Sequence, residues 1–268
     1  MSLLSQPQEL FQELVRRNRL LAYLGLAHTI LFAAFLLLFF LDSRTVMGIN
    51  VWIKPMKFAL SIAIYLWTIG WFLEYLSNYP RSARVIGWGV AIAMVVEITC
   101  ITLQAARGVP SHFNVQTATD GIIFSVMGMG VVLNTLLLVW LTVLFFVGKT
   151  SLSSTYRLAI CLALLLFLFA SAIGGKMVGQ LSHSVGVADG GAGLPFVNWS
   201  TEGGDLRIAH FIGIHSLQII PFFAFRAEKK RWSNARLWTW LFALTYIGLT
   251  IFIFWEATNA RPLLSTFH

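Results

Sequence analysis

The chain contains seven long stretches of apolar residues that carry very few charges. These stretches cover about residues 20–41, 58–76, 85–106, 121–147, 158–173, 208–225 and 237–255. A helix needs about 20 predominantly apolar residues to cross the hydrocarbon core of a bilayer, and most of these runs reach that length. Only 11% of all residues are charged, whereas a soluble domain carries about 25%. The sequence therefore predicts an all-α, polytopic membrane helix bundle with seven transmembrane helices.

The segments outside these runs define the rest of the predicted organisation. Residues 1–19 place apolar and charged side chains on opposite faces of a helix, which is typical of an amphipathic segment lying on the membrane surface. We expect residues 20–258 to form a single seven-helix domain and residues 259–268 to form a short outer tail. The longest connection, 174–207, is rich in glycine, and connections of this length are usually functional or disordered.

The distribution of Lys and Arg predicts the orientation of the bundle. With the N-terminus in the cytoplasm, 12 of the 19 basic residues fall on the cytoplasmic side, mostly in short loops. An excess of positive charge on that side is the usual pattern in membrane proteins. We therefore expect a cytoplasmic N-terminus, an outer C-terminus and a location in the plasma or inner membrane. The net charge of +8 has this explanation, so nucleic acid is excluded as a partner and the lipid bilayer is the expected one.

Polar residues inside or beside the spans are concentrated toward their outer ends. Because polar groups are costly in contact with lipid, such residues normally face the interior of a bundle. We expect them to line one polar pocket that opens to the outer side. The candidates for binding a substrate there are Lys54, Lys57, Gln104, Arg107, Asn114, Lys176 and Arg207.

Three carboxylates are the candidates for acid–base catalysis in this pocket, namely Glu97, Asp120 and Asp205. Glu97 is the most informative, because a carboxylate inside a span must be paired, protonated or bound to a cation. It can serve a functional role or form a structural ion pair that holds the helices together. Asp205 also suits the N-cap of the sixth span.

Three histidines are the candidate ligands of a metal or cofactor. His112 lies on a turn between the third and fourth spans, and His210 and His215 lie in the sixth. The latter two are five residues apart and point about 140° away from each other around a helix, so they do not suit one metal ion. Haem or a divalent metal such as zinc is the expected cofactor class, and the sequence does not choose between them.

Three functions remain compatible with this pattern. The first is a membrane enzyme with a His-ligated metal or haem site, acting as an oxidoreductase or a hydrolase. The second is a transporter or receptor-like protein that binds an anionic small molecule or a lipid head group. A transport path needs polar groups in both halves of the membrane, and the inner half of these spans is nearly apolar. The third is a structural or assembly subunit whose polar residues only lock the helices together.

Overall fold

The computed structural model of the chain describes residues 7–263, and its architecture is nearly all-α. Two antiparallel pairs of two-residue strands accompany the helices, β1 (Thr45–Val46) with β2 (Ile49–Asn50) and β3 (Ser184–Val185) with β4 (Gly204–Asp205). The helices are α1 (Pro7–Arg17), α2 (Arg19–Leu41), α3 (Ile53–Leu73), α4 (Pro80–Arg107), α5 (Ala118–Val147), α6 (Ser154–Gln180), α7 (Leu206–Ile214), α8 (Ser216–Lys229) and α9 (Ala235–Thr258).

Six of these helices are long and apolar enough to cross a membrane by themselves. Within residues 7–263 they are α2, α3 with the 3-10 turn that extends it, α4, α5, α6 and α9. Helices α7 and α8 reach the required length only together, and they are bent by 42° where they join. The chain is therefore a multi-pass integral membrane protein, and residues 7–263 contain six candidate spanning helices, or seven if the bent pair crosses as one span.

The described residues divide into two compact units. The first unit consists of residues 7–144 and Gly148–Thr150, and the second consists of Phe145–Val147 and 151–263. In the first unit, α2 packs along α3. Gly25 permits this close approach, because a Cβ atom at that position would collide with the indole of Trp67. The indole nitrogen of Trp67 donates a hydrogen bond to the carbonyl of Ala22, 3.1 Å away.

Helix α1 lies against the beginning of α2 and the end of α3. Its apolar face buries Leu14, and the guanidinium of Arg17 stacks 3.8 Å above the ring of Trp71. Asn18 separates α1 from α2 and caps α2, because its side-chain oxygen accepts from the backbone N–H of Leu21. Residues 7–17 of the predicted segment 1–19 are thus helical, residues 1–6 lie outside the described residues, and the location of the segment on the membrane surface stays a prediction.

The second unit is built on α6, against which α7, α8 and α9 pack. The bend between α7 and α8 falls at His215, where the sequence predicts one uninterrupted span. The hydroxyl of Tyr246 on α9 donates to the carbonyl of Ile212, 2.7 Å away. A continuous helix would use that carbonyl for the N–H four residues later, so Tyr246 satisfies a backbone group that the bend exposes.

The fifth span and the long connection after it differ from the expectation. The sequence predicts that this span ends at about residue 173 and that the connection covers 174–207. Gly174 and Gly175 follow the predicted end. Instead α6 continues to Gln180, so the connection starts at residue 181. A glycine weakens a helix by only about 1 kcal/mol. The ring of His210 packs directly over Gly174, at a distance that leaves little room for a larger residue, so tertiary contact overrides the local preference.

Candidate functional site

The outer end of α4 carries a network of polar side chains that joins it to α5. Arg107 Nη1 lies 2.6 Å from Asp120 Oδ1, and Gln104 Nε2 donates to the same oxygen at 3.0 Å. The hydroxyl of Thr117 donates to the other oxygen of Asp120 at 2.6 Å. Asp120 is 3% exposed, so both of its oxygens are buried and satisfied. This network anchors the start of α5 against the last turn of α4.

Glu97 lies deeper along α4 and has a different environment. It is 5% exposed, and its Oε1 atom lies 3.7 Å from His112 Nε2. Its second oxygen, Oε2, is buried and has no hydrogen-bond partner among residues 7–263. The ammonium of Lys54 on α3 is close enough to stabilise the carboxylate electrostatically. We call Glu97, His112 and Lys54 together the Glu97 centre, in which Glu97 is buried and the other two residues are half-buried.

The turn between α4 and α5 positions His112 in this centre. Gly108 ends α4 in the left-handed conformation that permits the chain to turn sharply. The hydroxyl of Ser111 lies 3.2 Å from His112 Nδ1, so the imidazole has a polar neighbour on each ring nitrogen. Three aromatic rings surround the imidazole, with ring centroids 5.8–6.4 Å away, namely those of Phe58, Phe113 and Phe124.

Asn114, a predicted substrate ligand, forms hydrogen bonds within this turn. Its amide nitrogen donates to the carbonyl of Pro110 at 3.2 Å, and its amide oxygen accepts from the backbone of Gln116 at 3.3 Å. Asn114 is 5% exposed. Lys57 lies one helical turn beyond Lys54 on α3. The first unit thus brings together Lys54, Glu97 and His112 in one group and Gln104, Arg107 and Asp120 in another.

In the second unit, Asp205 caps α7 as the sequence suggests. Its side chain accepts from the backbone N–H groups of Arg207 and Ser200. The guanidinium of Arg207 forms an ion pair with Asp205, at 2.5 Å, and also donates to the carbonyl of Asn198. Asp205 is 2% exposed. The pair therefore closes the loop onto the start of α7, and the carboxylate has partners on both oxygens.

His210 and His215 each use one ring nitrogen on the protein backbone. His210 Nδ1 donates to the carbonyl of Ala170 at 2.7 Å, and His215 Nδ1 donates to that of Phe211 at 2.8 Å. A donating Nδ1 leaves the lone pair on Nε2, which is the form that binds a metal. Lys176 belongs to this unit as well, on the exposed side of α6.

The three histidines are thus divided between the units, with His112 in the first and His210 and His215 in the second. Across residues 7–263 there is no group of three or more His, Cys, Asp and Glu side chains that is arranged to hold a metal ion. Within the first unit, the carboxylate of Glu97 lies beside the His112 imidazole.

A second histidine–carboxylate pair was not predicted from the sequence. His183 Nδ1 lies 2.9 Å from Asp189 Oδ2, and Asp189 also accepts from the backbone of His183 and Ser184. Burial by itself would raise the pKa of Asp189, but the hydrogen bonds from His183 and Ser184 hold the pKa well below its usual range. The pair lies in a glycine-rich loop. A loop has no regular periodicity, so the spacing of His183 and Asp189 in the sequence does not predict their contact.

Comparisons with protein-family models, with curated proteins and with solved structures found no match. The molecule is an integral membrane protein of nearly all-α architecture whose first unit contains the Glu97 centre.

Proposed function

We propose that the chain is a membrane enzyme that uses Glu97 and His112 as an acid–base pair. The observation that carries this proposal is the second oxygen of Glu97, which is buried and has no hydrogen-bond partner within the described part of the chain. A buried polar atom without a partner costs about 1–3 kcal/mol, and more when the group is charged. Such a cost is typical of sites that complete their hydrogen bonds only when a substrate or a proton arrives.

The geometry around His112 suits proton transfer. The 3.7 Å between Glu97 Oε1 and His112 Nε2 is longer than a hydrogen bond, and catalytic contacts are often long in an enzyme without its substrate. The imidazole of His112 lies between the hydroxyl of Ser111 and the carboxylate of Glu97. The same spatial order of hydroxyl, imidazole and carboxylate recurs in hydrolases. Ser111 is only 5% exposed, so we assign it the role of orienting the imidazole rather than that of a nucleophile.

The other two predicted catalytic carboxylates, Asp120 and Asp205, differ from Glu97 because both are fully paired. Asp120 and Asp205 each have an arginine and further donors on both oxygens. Their charges are already compensated, so a proton or a substrate gains little there. The same pairing occupies Arg107 and Arg207, which weakens the alternative of an outer pocket for anions. We therefore place acid–base chemistry at the Glu97 centre.

Turnover by the purified protein tests the proposal. The wild-type protein, Glu97→Gln and His112→Ala are reconstituted into lipid nanodiscs and incubated with polar and lipid extracts, whose components are followed by mass spectrometry. The matched control is Glu9→Gln, because Glu9 is exposed on α1 and lies outside the Glu97 centre. We expect at least one compound that the wild type and the control convert and that both variants at the centre convert at least about 100-fold more slowly. Equal conversion by His112→Ala would refute the acid–base role.

A divalent metal ion at the same pair is a second candidate. Two donor atoms on a tetrahedral zinc ion lie about 3.3 Å apart, which is close to the 3.7 Å between Glu97 Oε1 and His112 Nε2. Water or substrate would complete the coordination, and the nearby Lys54 charge opposes it. Elemental analysis after metal supplementation tests this form. One equivalent of metal that is lost in His112→Ala supports it, and no bound metal in the wild type rejects it.

Haem remains the cofactor proposal for the second unit, because Nε2 of His210 or of His215 is the nitrogen that could bind iron. A Soret band that disappears in His210→Ala or in His215→Ala would support such a site.

We also propose seven spans in the plasma or inner membrane, with α7 and α8 as one broken span and the N-terminus in the cytoplasm. The distribution of Lys and Arg supports this orientation.

A further inference from the structure

A cleft of about 390 Å³ lies in the first unit at the end opposite to the turn that carries His112. It is formed where α1 meets α2, where α3 ends and where α4 begins. Cavities of about 300–1,000 Å³ are the usual size of sites for small molecules. No residue of the Glu97 centre lines this cleft, so a ligand bound in the cleft would be distinct from the substrate of that centre.

The lining of the cleft is basic. Arg17, Arg19 and Arg84 line it, and the acidic residue among the lining side chains is Glu74. Arg17 pairs with Glu13 through its Nε atom, at 2.7 Å, whereas its Nη1 atom is buried and has no hydrogen-bond partner in the described structure. A buried guanidinium nitrogen of this kind has a strong preference for an anionic oxygen.

Arg19 and Arg84 add exposed positive charge to the mouth of the cleft. Among residues 7–263, no carboxylate lies within 4 Å of the guanidinium of either residue. Four arginines (Arg16, Arg17, Arg19 and Arg84) and two carboxylates (Glu13 and Glu74) lie in or beside the cleft, so the net charge there is positive. Guanidinium groups recognise phosphate through paired hydrogen bonds, which favours a phosphate-bearing ligand over a simple halide.

An apolar track leads from the cleft along the lipid-facing side of α4. Trp88 lines the cleft and is 54% exposed, and Val85, Ile92 and Val95 continue on the same face of the helix with exposures of 53%, 55% and 42%. Residues three and four apart lie one above the other on a helix. A ligand whose head occupies the cleft can therefore lay a hydrocarbon chain along this track.

The amphipathic helix α1 sets the depth of the cleft in the membrane. Its buried residue Leu14 faces the bundle, and its exposed Arg16 lies on the other side. A helix of this kind lies at the boundary between head groups and acyl chains. Trp71 and Trp88 lie on the adjoining helices, and tryptophan is enriched at the same level.

We propose that this cleft binds the head group of an anionic phospholipid. Three features support this proposal together: the size of the cleft, its three arginines and the apolar track beside it. The phosphate lies against Arg17, Arg19 and Arg84, and an acyl chain lies along α4 beside Trp88. A soluble phosphate compound shares the chemistry of the head group. The apolar track distinguishes the two ligands, because only a lipid gains from it.

Native mass spectrometry of the full-length protein tests this assignment. The protein in detergent is titrated with phosphatidylglycerol or with phosphatidylcholine of identical acyl chains, and the lipid adducts are counted. The test variant is the double substitution Arg19→Gln and Arg84→Gln, in which both changed residues are exposed. The matched control is Arg236→Gln, an exposed arginine outside the cleft.

We expect the wild type and the control to bind one phosphatidylglycerol more tightly than the other lipid. The double variant should weaken this binding about 25-fold, since each basic residue near an anionic head group contributes about a fivefold change. Unfolding temperatures without added lipid must agree between wild type and variants. Equal binding of both lipids, or an unchanged affinity in the double variant, would overturn the proposal. So would competition by inorganic phosphate at the same concentration, which would identify a soluble ligand instead.

Discussion

Glu97 and Asp120 are almost equally buried, yet their surroundings assign them different roles. Asp120 accepts from Arg107, Gln104 and Thr117, whereas one oxygen of Glu97 has no hydrogen-bond partner in residues 7–263. Natural proteins often keep unfavourable groups where function requires them. The stability of two isosteric variants can therefore distinguish a structural carboxylate from a functional one.

We expect Asp120→Asn to lower the free energy of unfolding by about 2 kcal/mol, because it leaves the partly buried Arg107 without its charge partner. Glu97→Gln should change the free energy by less than about 1 kcal/mol, since the amide removes a buried charge that lacks a full set of partners. Both values can be measured by reversible unfolding in mixed micelles. A loss at Glu97→Gln as large as that at Asp120→Asn would mean that Glu97 is a structural residue.

The Asp189–His183 pair should make the stability of the second unit depend on pH. The pKa of Asp189 in the folded protein is lower than in the unfolded chain. The carboxylate therefore stabilises the fold above its ordinary pKa of about 4, and this contribution is lost as the pH falls toward the folded value.

Thermal unfolding of the wild type and of Asp189→Asn should consequently differ at pH 7, by about 1–2 kcal/mol. The difference should shrink as the pH falls below about 4. The pH dependence of the stability of Asp42→Asn provides a comparison from the first unit. Hydrogen bonds from Arg44 and Trp52 also hold the pKa of Asp42 low. A constant difference between wild type and Asp189→Asn from pH 7 to pH 3 would contradict the assigned ionisation.

At the scale of elements, the joint between α7 and α8 shows how a broken helix is maintained. Ser216 donates from its side chain to the carbonyl of Ala163 at 2.9 Å, and Tyr246 donates to that of Ile212 at 2.7 Å. In a membrane, a backbone carbonyl released by a bend must find such a partner, because no water is available. The joint is therefore connected to α6 by Ser216 and to α9 by Tyr246.

Replacement of Tyr246 by Phe should destabilise the protein by about 1–2 kcal/mol, because it leaves the carbonyl of Ile212 without a donor. Tyr23→Phe removes the hydroxyl of a half-exposed tyrosine and should change the stability by less than about 0.5 kcal/mol. Unfolding of both variants under the same conditions measures the difference. Equal stabilities would show that the hydrogen bond does not maintain the joint.

At the scale of the whole molecule, the orientation in the membrane can be tested with single cysteines. Cys100 and Cys161 are first replaced by Ala, and cysteine is then introduced at Gln116 or at Ser233. Both of these positions are exposed, whereas Ser111 in the same turn as Gln116 is buried. With a cytoplasmic N-terminus and seven spans, only Gln116→Cys should react with an impermeant maleimide in intact cells. Labelling of Ser233→Cys alone would indicate the opposite orientation, and labelling of both would reject the span count.

The sequence was sufficient to select the candidate site residues. It was not sufficient to predict which of these residues contact each other. Carboxylates inside or beside an apolar run identify Glu97 and Asp120, because a charge costs free energy in a membrane. His112 is identified by its place on the turn between the third and fourth runs. Which carboxylate has an arginine beside it depends on the turn at Gly108, which brings α5 back against α4. Residue spacing along one helix has no information about that turn.

The amino-acid sequence by itself determined that the chain crosses a membrane several times and where most spans lie, because hydrophobic length and charge are properties of each segment. The tertiary structure alone decided that α6 continues through Gly174 and Gly175, that the helix over the sixth apolar run is bent at His215, and that Glu97 lies beside His112 whereas Asp120 pairs with Arg107. Each of these outcomes depends on packing between helices that are distant in sequence. Local preferences of about 1 kcal/mol are smaller than the free energy of such packing.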